Sequence, residues 1–146
     1  MKEGKPNLTL DYNNILASCT GGEKGHKKQQ HCDESKRNSE ITLNPTNRTM
    51  MDKIKFDSSG RIFTDDAQLD ADIEVLNLNN QDLVRERQVV LDVLKKKISK
   101  ASIGKTISKS FLTMALKDWE SRENNRYRPL CQVAIYYLSK KVKITT

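Results

Sequence analysis

The folding of the first third of this chain is constrained mainly by one feature. Two cysteines are joined there by a segment without apolar side chains. Residues 19–32 read "CTGGEKGHKKQQHC" and consist of glycine, lysine, glutamine and other polar residues. Such a segment is turn-like throughout and cannot bury enough apolar surface to offset the conformational entropy lost on ordering. We therefore expect that a staple is needed if this region is to be ordered.

The same segment carries the residue types that bind zinc. Zinc prefers thiolates and imidazoles in tetrahedral sets of four, and the local supply is Cys19, His26, His31 and Cys32. Twelve residues separate the two cysteines, whereas zinc knuckles usually use close pairs. Because His31 and Cys32 are adjacent, we expect both to reach one ion only with strain. A self-contained four-ligand site therefore fits poorly, and His26 among lysines also fits a solvated loop residue.

The third cysteine has a different setting. Cys131 lies in the apolar stretch "RPLCQVAIYYL" and is predicted to be a small core residue. An odd number of cysteines without a secretion signal argues against a disulfide framework. Since no apolar run approaches the roughly 18 residues needed to span a bilayer, we expect a cytoplasmic protein without a membrane partner.

The charge balance favours a polyanionic partner. The formal net charge is +7 and the isoelectric point is about 9.3. Lysine and arginine gain affinity for a phosphate backbone by releasing condensed counterions. The candidates for such contacts are Arg85, Arg87, Lys95, Lys96 and Lys97, although the same residues could lie on a solvated helix face.

A β-hairpin is predicted after the first fifty residues. In "KIKFDSSGRIFTDD", the apolar residues Ile54 and Phe56 alternate with charged neighbours, and Gly60 then interrupts the pattern. This alternation is typical of a strand, and the loop is expected around Asp57 to Gly60.

The remaining chain reads as helical. Apolar side chains recur at helical period and predict helices over about 80–100, over about 103–121 and from about Pro129 onward. In the second helix, Ile103 is the first apolar position of a four-residue spacing. A small helical bundle is therefore expected in the C-terminal region.

The order of several motifs resembles one nuclease family. "LTLDYNNILASC" and "HCDESK" are followed by "ITLNPTN", "IKFDSSGRIF" and "IEVLNLNNQDLVRERQVVLD". This succession resembles the HNH-type endonucleases of bacterial phage-defence loci, which are paired with an ATPase in Septu systems and in some retrons. The resemblance runs from about residue 7 to the end of the chain.

The resemblance implies roles for individual residues. Such enzymes hold a ββα unit with a structural zinc, and they hydrolyse phosphodiester bonds with Mg²⁺. Asn14, with Asn13 as the close alternative, matches the asparagine that ties the catalytic loop together. Cys19 and Cys32 match the two later zinc cysteines.

A late metal-binding position completes the Mg²⁺ site of this family. His31 or Asp33 could supply that ligand here, and His31 is slightly favoured. The resemblance also implies DNA as the substrate and a defence-system ATPase as a further partner.

The chain departs from the family pattern in its first part. No Cys-x-x-Cys precedes Asn14, and no E-H-x-x-P segment carries the histidine that activates water. We therefore expect an N-terminally incomplete HNH-family endonuclease whose zinc site could be incomplete, and we leave open whether the chain is itself an enzyme. The alternative is a catalytically silent remnant that binds DNA or an ATPase partner.

The resulting fold prediction is α+β. Residues 1–64 are expected to form a partial ββα-metal, HNH-like zinc motif with the β-hairpin. Residues 65–146 are expected to form the small helical bundle.

Overall fold

A computed structural model of the protein describes residues 18–104 and 106–145. Asn13 and Asn14 therefore lie outside the described residues. The described chain divides into two compact units. The first contains the residues up to Lys53 together with Thr64–Gln81, and the second contains Ile54–Phe63 and the residues from Asp82 onward. Each unit is a group of residues that contact one another. The boundary between residues 64 and 65 was predicted from sequence motifs, and it stays a prediction.

Within residues 18–104 and 106–145, the elements form an α+β arrangement with a small two-stranded antiparallel sheet, as the sequence predicted at this coarse level. In chain order they are α1 (Asp33–Lys36), α2 (Arg48–Met51), β1 (Lys55–Phe56), β2 (Ile62–Phe63), α3 (Ala67–Val75), α4 (Gln81–Ala101), α5 (Lys109–Glu120) and α6 (Cys131–Ile144). In the described ranges, no helix is both long enough and apolar enough to cross a membrane.

The first unit is organised around α3. Asp66 caps the helix by accepting hydrogen bonds from the backbone N–H groups of Gln68 and Leu69. Leu69 and Ile73, one turn apart, are almost fully buried. The sequence analysis did not distinguish α3 from the helix that follows it, because its charged residues obscure the apolar period.

A buried carboxylate ties the preceding segment to α3. Asp72 is 1% exposed, and its Oδ2 accepts hydrogen bonds from the backbone N–H groups of Thr42 at 2.8 Å and Leu43 at 2.7 Å. The hydroxyl of Ser35 also donates to the carbonyl of Val75 at 2.9 Å. These polar contacts hold α1 and residues 42–43 against α3.

The second unit begins with the predicted hairpin, which the structure confirms. β1 pairs antiparallel with β2 in the register Lys55 with Phe63 and Phe56 with Ile62. The Asp57 carboxylate accepts hydrogen bonds from the backbone N–H groups of Ser59 and Arg61 in the turn.

An arginine holds this turn against α4. Arg87 is 5% exposed, and its guanidinium donates to the Gly60 carbonyl at 3.2 Å. Arg87 is therefore not on the solvated face where a DNA-contacting residue was expected. The sequence pattern missed this burial because the acceptor is a backbone carbonyl from a distant segment.

The helical core lies among α4, α5 and α6. Its buried members are Leu94, Leu112, Ala115, Ala134 and Leu138. The predicted helices are found, with one correction. Ile103 is 77% exposed and lies before α5. α5 begins at Lys109, and the Ser108 side chain caps it by accepting a hydrogen bond from the backbone N–H of Phe111.

Candidate metal centre

Tight turns fold the polar segment between the two cysteines back on itself. The N–H of His31 donates to the Gly21 carbonyl at 2.8 Å, which closes the loop next to Cys19 and Cys32. Gly21 has φ of +59°, and a Cβ added there would collide with the carbonyl oxygen of His31. Only glycine suits this close approach.

The far end of the loop is anchored on the residues that follow α3. The backbone N–H of Cys32 donates to the Leu76 carbonyl at 2.8 Å. The side-chain amide of Asn77 donates to the Gln30 carbonyl at 2.7 Å and to the Lys28 carbonyl at 3.2 Å. Sequence reasoning did not identify Asn77, although an asparagine directly after a helix is a frequent left-handed capping residue, and its φ is 48°.

These contacts bring three metal-type donor atoms together. The Sγ atoms of Cys19 and Cys32 are 3.4 Å apart. His31 Nδ1 lies 3.6 Å from the Cys19 Sγ and 3.3 Å from the Cys32 Sγ. Cys19 and Cys32, which the resemblance matched to two cysteines of one zinc site, thus lie close together, and His31 joins them as a third donor.

The dimensions of this triangle would allow it to hold a metal ion, and zinc gives a reference for the distances. Zinc bonds of about 2.3 Å to sulfur and about 2.0–2.1 Å to nitrogen imply donor separations of roughly 3.5–3.8 Å at tetrahedral angles. The three observed edges are close to that range, and the triangle has a point about 2.0 Å from each donor. An ion slightly above the plane of the donors would thus reach all three at bonding distance.

The backbone strain expected where two adjacent residues direct donor atoms to one point is present at Cys32. This residue has φ of 55° and ψ of −127°, a combination that L-residues rarely adopt. Such a conformation costs about 1–3 kcal/mol and persists only where other interactions hold it. It allows the neighbouring His31 and Cys32 side chains to point to the same place.

The other predicted donors are placed differently. His26 is exposed before a 3₁₀ turn at Lys27–Gln29 and is not part of the donor group. Asp33 is the exposed first residue of α1 and does not belong to the group either. Cys131 is buried in α6 as predicted, its burial raises the pKa of its thiol, and it is not part of the donor group.

The candidate DNA-contacting residues on α4 fall into two groups. Arg85, Lys96 and Lys97 are exposed. Lys95 is half-buried and donates to the Ser58 carbonyl at 3.1 Å. With Arg87 buried against the hairpin turn, the exposed residues are the ones able to reach a phosphate backbone.

No protein-family model matches the chain, and no curated protein or solved structure is significantly similar to it.

Proposed function

We propose that this chain is part of a metal-dependent DNA endonuclease of the HNH type, of the kind found in phage-defence loci, and that it binds a structural zinc ion. The observation that carries the proposal is the convergence of Cys19, His31 and Cys32 in a loop whose sequence is polar throughout. The order of the sequence motifs around this loop adds the family assignment.

The donor set favours zinc over Mg²⁺. Thiolates are soft ligands that suit zinc, whereas Mg²⁺ takes oxygen ligands in octahedral geometry. Three protein ligands leave a fourth position, which water fills in many zinc sites. Binding would stabilise the strained Cys32 backbone and the polar loop together, so zinc affinity and local folding are coupled.

The hydrolytic step requires more than the zinc group. In the HNH type, a histidine activates water and Mg²⁺ stabilises the scissile phosphate. This chain has two histidines, and neither stands in an E-H-x-x-P sequence. His31 is committed to the zinc donors, Asn14 is proposed to order the loop, and Asp33 offers an exposed carboxylate to Mg²⁺. Hydrolysis therefore needs a histidine-bearing segment that this sequence lacks.

The second candidate is a catalytically silent protein that binds DNA or an ATPase partner. The lack of an E-H-x-x-P histidine favours it, together with the exposed basic residues of α4. DNA binding of this kind would be weak, salt-sensitive and nearly independent of sequence, because it depends on phosphate contacts alone.

A cleavage assay separates the two candidates. The chain alone, incubated with supercoiled plasmid and Mg²⁺ or Mn²⁺, should leave the DNA intact. A chain extended at its N-terminus with a Cys-x-x-Cys and E-H-x-x-P segment from a related gene should nick or cut it. Persistent inactivity of a folded, zinc-loaded extended chain that still binds DNA would favour the silent alternative. Cleavage by the 146-residue chain that is lost in Asn14→Ala or His31→Ala but kept in His26→Ala would contradict the conclusion that hydrolysis needs a further histidine-bearing segment.

DNA binding is tested by its salt dependence. Affinity for a short duplex, measured by fluorescence anisotropy, should fall steeply between about 50 and 200 mM salt. Lys97→Ala should lower the slope of log K against log salt by up to about 0.9, the value for one phosphate contact. Lys143→Ala on α6 is the matched control and should have a smaller effect. Equal effects of the two variants would remove α4 from the DNA-binding surface.

A further inference from the structure

The outer face of α4 carries two exposed valines. Val89 is 59% exposed and Val93 is 56% exposed, and they stand one helical turn apart. The opposite side of the same helix supplies the buried residues Leu91 and Leu94. This helix therefore has a second, short apolar stripe directed to solvent.

Charged residues continue the stripe in both directions. Asp82 and Glu86 precede the valines, and Lys96 and Lys100 follow them, all exposed. The six positions 82, 86, 89, 93, 96 and 100 are spaced alternately by four and three residues, which is the seam along which paired helices meet. The stripe is thus acidic at its N-terminal end, apolar in its centre and basic at its C-terminal end.

This order is complementary to itself when two copies of the helix run antiparallel. With a two-fold axis that crosses the outer face of α4 midway between Val89 and Val93, Val89 faces Val93 of the second copy. The same operation places Glu86 opposite Lys96 of the second copy, and Asp82 opposite Lys100. A two-fold interface generates each of these contacts twice. Parallel pairing would instead place Glu86 against Glu86 and Lys96 against Lys96.

We propose that two copies of this chain associate through the outer face of α4 in an antiparallel arrangement. The helix has 21 residues and is about 31 Å long at about 1.5 Å per residue, so the contact is small. With four valines at its centre and exposed ion pairs around them, the dimer should be weak and reversible, with a dissociation constant that is roughly micromolar or higher. The proposal does not depend on zinc binding or on nuclease activity.

The charges of the stripe are available for this pairing. Among the described residues, neither Glu86 nor Lys96 takes part in an ion pair within its own chain. Arg85 and Lys97 lie beside the seam rather than on it. Contact of these two residues with a phosphate backbone is therefore compatible with the dimer.

Charge reversal across the two-fold axis tests the arrangement. The dissociation constant of nucleic-acid-free protein would be measured by sedimentation equilibrium. Glu86→Lys and Lys96→Glu each turn two attractive pairs into repulsive ones, so each should weaken the dimer about tenfold or more. The double variant restores both pairs with exchanged signs and should bind within about threefold of the original chain.

Matched controls separate the seam from net charge. Glu120→Lys on α5 and Lys143→Glu on α6 change the net charge equally but lie off the seam, and they should leave the dimer unchanged within about twofold. Val93→Asp should abolish it, with circular dichroism and melting temperature showing that the variant is folded. A chain that is monomeric at several hundred micromolar would overturn the proposal. A dimer that ignores Val93→Asp, or that the double reversal fails to restore, would overturn the assigned face and orientation.

Discussion

Removal of the Asp72 carboxylate should detach the 41–44 segment from α3. Two backbone N–H groups, of Thr42 and Leu43, donate to one oxygen of this nearly inaccessible side chain at 2.8 and 2.7 Å. Hydrogen bonds to charged groups contribute about 1.5–3 kcal/mol each, and partial solvation of the freed N–H groups reduces the loss. Asp72→Ala should therefore cost about 3 kcal/mol, a large part of the 5–15 kcal/mol that is typical of a domain.

Asp72→Asn provides a graded comparison. The asparagine oxygen can occupy the position of Oδ2 and accept both hydrogen bonds, but it lacks the negative charge. The expected cost is about 1 kcal/mol. Asp70→Ala, at an exposed position of the same helix, is the matched control and should cost less than about 0.5 kcal/mol.

Hydrogen exchange measured by NMR gives the sharpest assay because it reports individual amides. In Asp72→Ala the amides of Thr42 and Leu43 should lose most of their protection, and in Asp70→Ala they should keep it. Melting curves should show a decrease of about 6–12 °C for Asp72→Ala. If Asp72→Ala and Asp70→Ala gave the same exchange rates and melting temperatures, the reasoning about this carboxylate would be wrong.

Four further substitutions probe the second unit. Gly60→Ala should cost at least about 2 kcal/mol in chemical denaturation, because φ is +88° and the new Cβ would lie 2.8 Å from the Val84 carbonyl oxygen. Gly104→Ala, at φ of +70° with no atom within 4 Å of the new Cβ, should cost only about 1 kcal/mol, and equal costs would contradict the steric argument. Arg87→Met should destabilise the hairpin turn by about 1–3 kcal/mol, and unchanged exchange of turn amides would refute this. The Arg128 guanidinium holds the pKa of Asp118 below its usual range. The ion pair should therefore stabilise the folded state slightly above about pH 5, and this stabilisation should be lost as the pH falls through the folded pKa. Asp118→Asn should remove that part of the pH dependence of stability.

Much of the second unit could be predicted because its signals are local. The alternation around Ile54 and Phe56 and the glycine at residue 60 specified the hairpin. Apolar residues at helical period specified α4, including the buried Leu94. The start of α5 was misplaced because Ile103 continues the apolar spacing, although Ser108 is a capping residue that marks the true start.

The burial of charged side chains could not be predicted from the hydrophobic pattern of the sequence. Asp72 and Arg87 are charged residues in helices, and charged residues in helices usually face solvent. Their burial depends on backbone partners that are distant in the sequence, at Thr42, Leu43 and Gly60. Such pairings require the tertiary structure.

The metal group was partly predictable. The residue types identified Cys19, His31 and Cys32 as candidates. Their convergence depends on the close approach at Gly21 and on the unusual backbone of Cys32, which the twelve-residue spacing alone did not reveal.

Zinc coordination by Cys19, His31 and Cys32 can be measured directly. Zinc K-edge X-ray absorption on the protein loaded with one equivalent of zinc measures the ligand types and distances together. We predict two sulfur ligands at about 2.3 Å, one histidine nitrogen at about 2.0–2.1 Å and one further light-atom ligand. Cys19→Ser should lose one sulfur, while Cys131→Ser should keep both. A spectrum with no sulfur, or one that is unchanged in Cys19→Ser, would contradict the account.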